Sequence, residues 1–113
     1  MQIADCPSRQ ALGLIADKWT MLVIKALADG IGRYGALGRE IEGISQKMLT
    51  QTLCALERDG LVSRTVHPVV PPMVDYALTP LGETLIVPLA AISAWAEEHM
   101  DEVQAARRRH EGQ

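Results

Sequence analysis

The hydrophobic repeat of this 113-residue sequence changes at Gly60 from a helical period to a strand period. Before Gly60, leucines recur at i, i+4 and i+7, at Leu49, Leu53 and Leu56. That spacing predicts a helix with a single apolar face. After Gly60 the period becomes two residues, which predicts a two-stranded hairpin: Val62, Arg64 and Val66 alternate with Ser63 and Thr65, and Val74, Tyr76 and Leu78 alternate with Asp75 and Ala77. The chain must therefore fold into a helix that is followed directly by a β-hairpin.

The rest of the chain reads as helix on both sides of the hairpin. Pro7 suits the first position of a short opening helix, and Asp17 is a candidate N-cap for a second helix that ends at Gly30. A third covers Tyr34–Ile41, and the last runs from about 80 to 106, with a kink expected at Pro88. Between the strands, HPVVPPM (67–73) is too long and proline-rich for a tight turn, so it should project as a stiffened loop.

This order of elements predicts one domain, 1–113, that is mainly α with a small β-hairpin (α+β): a winged helix-turn-helix. No apolar run reaches the roughly 20 residues that span a bilayer, and the N-terminus lacks the layout of a signal peptide. Two cysteines without close pairing indicate a reducing compartment, the cytoplasm. His67, His99 and His110 share no ligand spacing with the cysteines, and no catalytic triad or phosphate loop is visible. We therefore expect no metal, no cofactor and no enzymatic activity.

The charge is unevenly distributed along the chain. The formal net charge is −3, which by itself argues against a polyanionic partner. From Lys18 to Thr65, however, seven basic residues face five acidic ones, whereas from Val66 onward three face seven. The mildly basic middle permits nucleic-acid binding without requiring it.

The segment GISQKMLTQTLCALERDGLV (43–62) carries the functional signal. Ser45 is a candidate N-cap, and the face opposite the leucines has no carboxylate until Glu57. Amide, hydroxyl and cationic groups suit contacts with base edges and phosphates in a major groove. The candidate DNA contacts are Gln46, Lys47, Thr50, Gln51 and Arg58, with Arg64 at the base of the wing. A polar face on an isolated helix is more simply a solvated surface; the following hairpin and the preceding short helix favour DNA binding.

Three stretches together resemble the HxlR-type transcriptional regulators, a MarR-like winged-helix family: CPSRQALGLIADKWTMLVIKAL, GISQKMLTQTLCALERDGLVSR and HPVVPPMVDYALTPLGETL. The resemblance implies a homodimeric, sequence-specific regulator, often a repressor, that binds an operator in double-stranded DNA. The N-terminal helix and the C-terminal helix (about 80–106) would form the dimer interface. Three positions depart from the family pattern: Cys54 and Met73, where cations or polar residues are usual, and RYGALGREI (33–41).

Cys6 is a candidate redox sensor. In several members of the family, the cysteine just before the first proline senses electrophiles or oxidants, so a small molecule of that kind would be the effector. A thiol at a helix N-terminus is biased toward the reactive thiolate. The alternative is an inert N-terminal cysteine, and Cys54 is a weaker candidate sensor.

Two functions remain open from the sequence. The first is a dimeric DNA-binding regulator; the second is a winged-helix module that binds another protein through the same polar helix. Salt-dependent binding to duplex DNA separates them, because phosphate contacts release counterions.

Overall fold

The computed structural model describes residues 17–112. Within this range the elements follow in the order α1 (Lys18–Ala28), α2 (Tyr34–Glu40), α3 (Gln46–Arg58), β1 (Val62–His67), β2 (Met73–Leu78), α4 (Pro80–Glu83) and α5 (Ile86–Glu111). The mainly helical fold with one antiparallel hairpin confirms the predicted winged helix-turn-helix. The opening helix predicted from Pro7 lies outside the described residues.

Polar caps and glycines set the ends of the helices. Asp17 accepts from the backbone N–H of Trp19 at 2.8 Å, and Ser45 Oγ accepts from the N–H of Met48 at 3.0 Å, which confirms both predicted N-caps. After α3 the chain turns through Gly60 at φ +77°, in the left-handed region that glycine enters without a steric penalty.

The core lies where α1, α2 and α3 meet the start of the hairpin. Its most deeply buried side chains are those of Val23, Ile24, Leu37, Leu49, Leu53 and Leu56. All three leucines of the predicted apolar stripe of α3 are among them, so this stripe fixes which face of α3 points to solvent. Trp19 packs against the core, whereas Trp95 is 54% exposed.

The hairpin pairs in a single register, from Val62 opposite Leu78 to His67 opposite Met73. The loop of the wing is therefore 68–72, since both ends of the predicted 67–73 segment belong to the strands. The segment just before α2 also pairs with the outer edge of β2, through a backbone bridge between Arg33 and Asp75. The N–H of Tyr76 donates to the Gly32 carbonyl at 2.8 Å. A Cβ at Gly32 would lie 2.7 Å from the Tyr76 carbonyl oxygen, so glycine permits this approach.

The C-terminal segment differs from the single kinked helix expected over about 80–106. It forms two helices, and the helical conformation is interrupted at Thr84 and Leu85, before Pro88. Proline lacks a backbone N–H, and its ring clashes with the carbonyl four residues earlier. Pro88 lies in the first turn of α5, where a backbone N–H has no acceptor within the helix, so its absence costs no hydrogen bond. The carbonyl that its ring would meet in a continuous helix is that of Thr84, which lies before α5. The second helix also continues further than expected, to Glu111.

Candidate nucleic-acid interface

The N-terminal half of α3 presents polar side chains to solvent. Four of the predicted contacts, all exposed, occupy adjacent positions around the helix: Gln46, Lys47, Thr50 and Gln51. Leu49 and Leu53 on the other side are at most 2% exposed and anchor the helix to the core. The first turn contains no acidic residue. This face can donate hydrogen bonds and carries no negative charge, as a contact with a polyanion requires.

Tyr34 joins α2 to this face. Its hydroxyl donates to the Gln46 carbonyl at 3.1 Å and lies 2.6 Å from Thr50 Oγ1. A phenol has one proton, so when Tyr34 donates to Gln46 it is Thr50 that donates to Tyr34. The Thr50 hydroxyl then offers only lone pairs to a ligand. It can accept from the amino group of adenine or cytosine, but it cannot donate to a phosphate.

The C-terminal half of α3 is less favourable to an anion. Arg58 is 75% exposed, and its Nε lies 3.3 Å from Oδ1 of Asp59. Glu57 is also exposed, on the side of Gln46 and Thr50. Twelve residues along a helix correspond to about 18 Å, so Arg58 lies well away from Gln46 on the same exposed side. The structure therefore separates the predicted set into a carboxylate-free first half that carries one cation, Lys47, and an arginine that lies beside Asp59.

The wing has few charges near its tip. Arg64 is exposed on β1, directly opposite Tyr76. Beyond it, the loop exposes Val69 and Val70, the latter completely. The position after the double proline is Met73, as the sequence indicated. Arg64 is thus the cation that β1 itself contributes to the wing.

A cluster at the base of the wing was not anticipated from the sequence. Oδ2 of Asp75 lies 2.6 Å from Nε2 of His67, and Oδ1 lies 3.5 Å from Nε of Arg33. Arg33 also donates weakly to the sulfur of Met73, at 3.8 Å. Arg33 and Asp75 are 42 residues apart in the sequence, so no local pattern could have paired them.

The proposed sensor, Cys6, lies outside the described residues. Cys54 is a free, exposed thiol on α3. Over residues 17–112 no cluster of three or more histidine, cysteine or acidic side chains could hold a metal ion. Over the same range no helix combines the length and apolarity needed to cross a bilayer.

A family model described as HxlR-like helix-turn-helix matches residues 14–104, most of the chain. The chain belongs to this family. The match covers α1 through most of α5, and so includes the polar face of α3 and the wing. The protein is therefore a transcriptional regulator of the helix-turn-helix class, as the resemblance in its motifs implied.

Individual relatives agree with this assignment. The HTH-type transcriptional regulator YtfH of Escherichia coli K12 is 47% identical over 103 residues, covering 91% of this chain and 82% of the relative. The solved structure of YtfH from Salmonella typhimurium is 45% identical with a TM-score of 0.80, covering 92% and 93% of the two chains. The redox regulator HypR in its reduced form is 35% identical with a TM-score of 0.83, covering 88% of this chain and 99% of its own.

Proposed function

We propose that this HxlR-like protein is a homodimeric, sequence-specific DNA-binding repressor whose α3 enters the major groove of an operator. The observation that carries the proposal is the carboxylate-free, solvent-exposed first half of α3, held by a buried leucine stripe on a winged helix-turn-helix scaffold. The major groove of B-DNA is wide enough for one α-helix, and residues in the N-terminal part of such a recognition helix contact base edges.

The roles divide by chemistry and position. Lys47, Thr50 and Gln51 contact base edges, with Thr50 as an acceptor when Tyr34 donates to the Gln46 carbonyl. Gln46 and Arg58 contact phosphates or flanking positions, and Arg64 contacts the backbone from the wing. Tyr34 is a positioning residue: it fixes the first turn of α3 against α2 through the Gln46 carbonyl.

The direct test is binding to the DNA immediately upstream of the protein's own gene and of the neighbouring gene. A regulator shifts this duplex with an affinity that falls steeply as salt rises. A rise in the neighbouring transcript on deletion of the gene identifies repression, and a fall identifies activation. Absence of duplex binding at low salt would contradict the proposal and favour the alternative of a protein-binding module.

Two substitutions on α3 distinguish base contacts from phosphate contacts. Gln51→Ala should change which operator variants bind, by about 1–3 kcal/mol of discrimination at one base pair. Arg58→Ala should weaken all duplexes alike and lower the slope of log affinity against log salt by about 0.9 for each lost phosphate contact. Fluorescence anisotropy with a panel of operator variants measures both. Wild-type affinity and specificity in both variants would contradict the docking of α3.

The dimer proposal rests on the surface of α5. This helix of 26 residues has one buried side chain, Leu89. A second stripe recurs at i, i+3, i+4, i+7 and i+11, and consists of Ile92, Trp95, Ala96, His99 and Val103. Ile92 is 44% exposed in the single chain, and the Trp95 ring contacts the His99 ring in a tilted geometry with centroids 5.1 Å apart. Ile92 and Trp95 thus leave apolar surface exposed in the single chain. Exposed apolar patches mark protein interfaces, and a second copy, together with the N-terminal segment, is the occupant we propose.

We further propose that Cys6 makes DNA binding sensitive to oxidants or electrophiles. Two observations support this: Cys6 directly precedes Pro7, and HypR, a redox regulator, is similar over 88% of the chain. An adduct on Cys6, or a disulfide between the Cys6 thiols of two subunits, would rotate one subunit against the other. The two α3 helices must lie about 34–36 Å apart to match one turn of DNA, so a small rotation weakens binding.

The sensor is identified by comparing wild type, Cys6→Ser and Cys54→Ser in a gel-shift titration with and without diamide. Diamide takes up the two electrons and two protons lost when two thiols form a disulfide. Wild type and Cys54→Ser should lose affinity and regain it with excess thiol, while Cys6→Ser should be unaffected. Loss of affinity by Cys6→Ser on oxidation would remove Cys6 from the role, and resistance of Cys54→Ser alone would transfer the role to α3.

A further inference from the structure

The wing lacks a cation at its tip, yet a guanidinium from another part of the chain lies at its base. Arg33 lies just before α2, and its Nη1 contacts the sulfur of Met73, the position where a cation would be usual. Its side chain is 64% exposed. The guanidinium of Arg33, 40 residues earlier in the chain, thus places a positive charge beside Met73.

Asp75 lies beside this guanidinium at ion-pair distance, without a hydrogen bond to its Oδ1. One carboxylate oxygen forms an ion pair with Arg33 at 3.5 Å, and the other contacts His67 at 2.6 Å. The backbones of Arg33 and Asp75 also form a bridge beside β2. A long side chain held in this way loses less conformational entropy when it binds a ligand than a free surface arginine does.

Arg33 lies between the two elements proposed to touch DNA. The next residue, Tyr34, bonds to the first turn of α3 through Gln46 and Thr50. Arg33 itself contacts Met73 and Asp75 of the wing. When α3 occupies the major groove and the wing lies over the adjacent minor groove, the sugar-phosphate backbone that separates the grooves runs between them. Planar guanidinium groups bind phosphate oxygens with two parallel hydrogen bonds.

From this geometry we propose that Arg33, oriented by Asp75, binds a backbone phosphate between α3 and the wing and replaces the cation missing from the wing. The proposal rests on the proposed DNA-binding function. Arg33 precedes α2 without forming a side-chain cap, so its replacement removes the charge without removing a helix cap. Asp75 is a positioning residue, and Arg33 is the group that contacts DNA.

The test compares Arg33→Gln, Arg33→Lys and the control Arg108→Gln, which removes the same charge from the far end of α5. Binding is measured over a range of salt with two duplexes of about 30 base pairs, long enough for two half-sites one turn apart: the DNA upstream of the gene and a mixed sequence. Arg33→Gln should weaken both duplexes about tenfold or more. The salt slope should fall by about 0.9 per subunit that contacts DNA.

The controls distinguish a failure of the Arg33 proposal from a failure of the proposed DNA-binding function. Arg33→Lys should keep the salt slope of the wild type, because the charge remains, and Arg108→Gln should match the wild type in both readouts. If wild type binds with a steep salt dependence but Arg33→Gln behaves like Arg108→Gln, the role of Arg33 is overturned while the proposed function stands. If wild type itself shows no salt-dependent binding, the proposed function fails. Thermal melting of each variant excludes a loss of folded protein as the cause.

Discussion

Replacing Gly82 with alanine should lower the free energy of unfolding by about 3 kcal/mol or more and the melting temperature by roughly 10–20 °C. Gly82 is buried in α4, and a Cβ built there overlaps the carbonyl oxygen of Leu61 and lies 3.2 Å from the Leu78 side chain. A carbonyl held in the backbone cannot rotate away as a side chain can. The clash is relieved only if α4 moves away from the start of the hairpin.

That movement would break the contacts that hold α4 in place. The Thr79 N–H donates to the Leu61 carbonyl at 3.0 Å, and the Thr79 hydroxyl donates to the Gly60 carbonyl at 2.6 Å. Thr79 Oγ1 also accepts from the Gly82 N–H. Gly82→Ala therefore strains one packing contact and three hydrogen bonds together.

Gly38→Ala is the matched control, because a Cβ at Gly38 in α2 would be 3.7 Å from Leu49, an ordinary contact. Alanine in a helix interior gains about 0.5–1 kcal/mol over glycine, so this variant should melt at or above the wild-type temperature. Calorimetry at one fixed protein concentration compares the two, since the melting temperature of the proposed dimer depends on concentration. Equal melting of Gly82→Ala and wild type would show that α4 does not pack on Leu61.

Replacing Ile92 with glutamate should dissociate the proposed dimer into monomers and weaken operator binding by about 10²–10⁴-fold. Ile92 lies in the exposed stripe of α5, where burial of a carboxylate without a partner is costly. Each monomer still carries an intact α3. What is lost is the second half-site, which binds with the first only while the two subunits are linked.

Sedimentation at micromolar concentration gives the mass, and anisotropy with the upstream duplex gives the affinity. Gln104→Glu adds the same charge at an exposed polar position of α5 and should remain dimeric. Ile92→Val keeps the apolar surface and should do the same. A dimeric Ile92→Glu protein with unchanged affinity would place the interface elsewhere.

The sequence alone determined the elements that local physics controls. Ser45 and Asp17 were identifiable as caps because a short side chain bonds to amides only two or three residues away. The solvent face of α3 was identifiable because helix geometry fixes which positions oppose a leucine stripe. The hairpin followed from alternation. Family motifs supplied the class of function, since their residues stand in the sequence itself.

Tertiary structure alone decided the contacts between segments distant in the chain. The pairing of Arg33 with Asp75, and of Tyr34 with Thr50, depends on how α2 packs against the sheet and α3. Hydrophobic periodicity does not encode such pairs. It shows which face of an element is buried, but it does not show which polar side chains come into contact at the edge of that face. The position of the break before Pro88 is likewise defined only in the folded chain, where α4 ends at Glu83 and α5 begins at Ile86. The sequence thus determined which surface faces solvent, and the packing decided which charges and hydroxyls on that surface are already engaged.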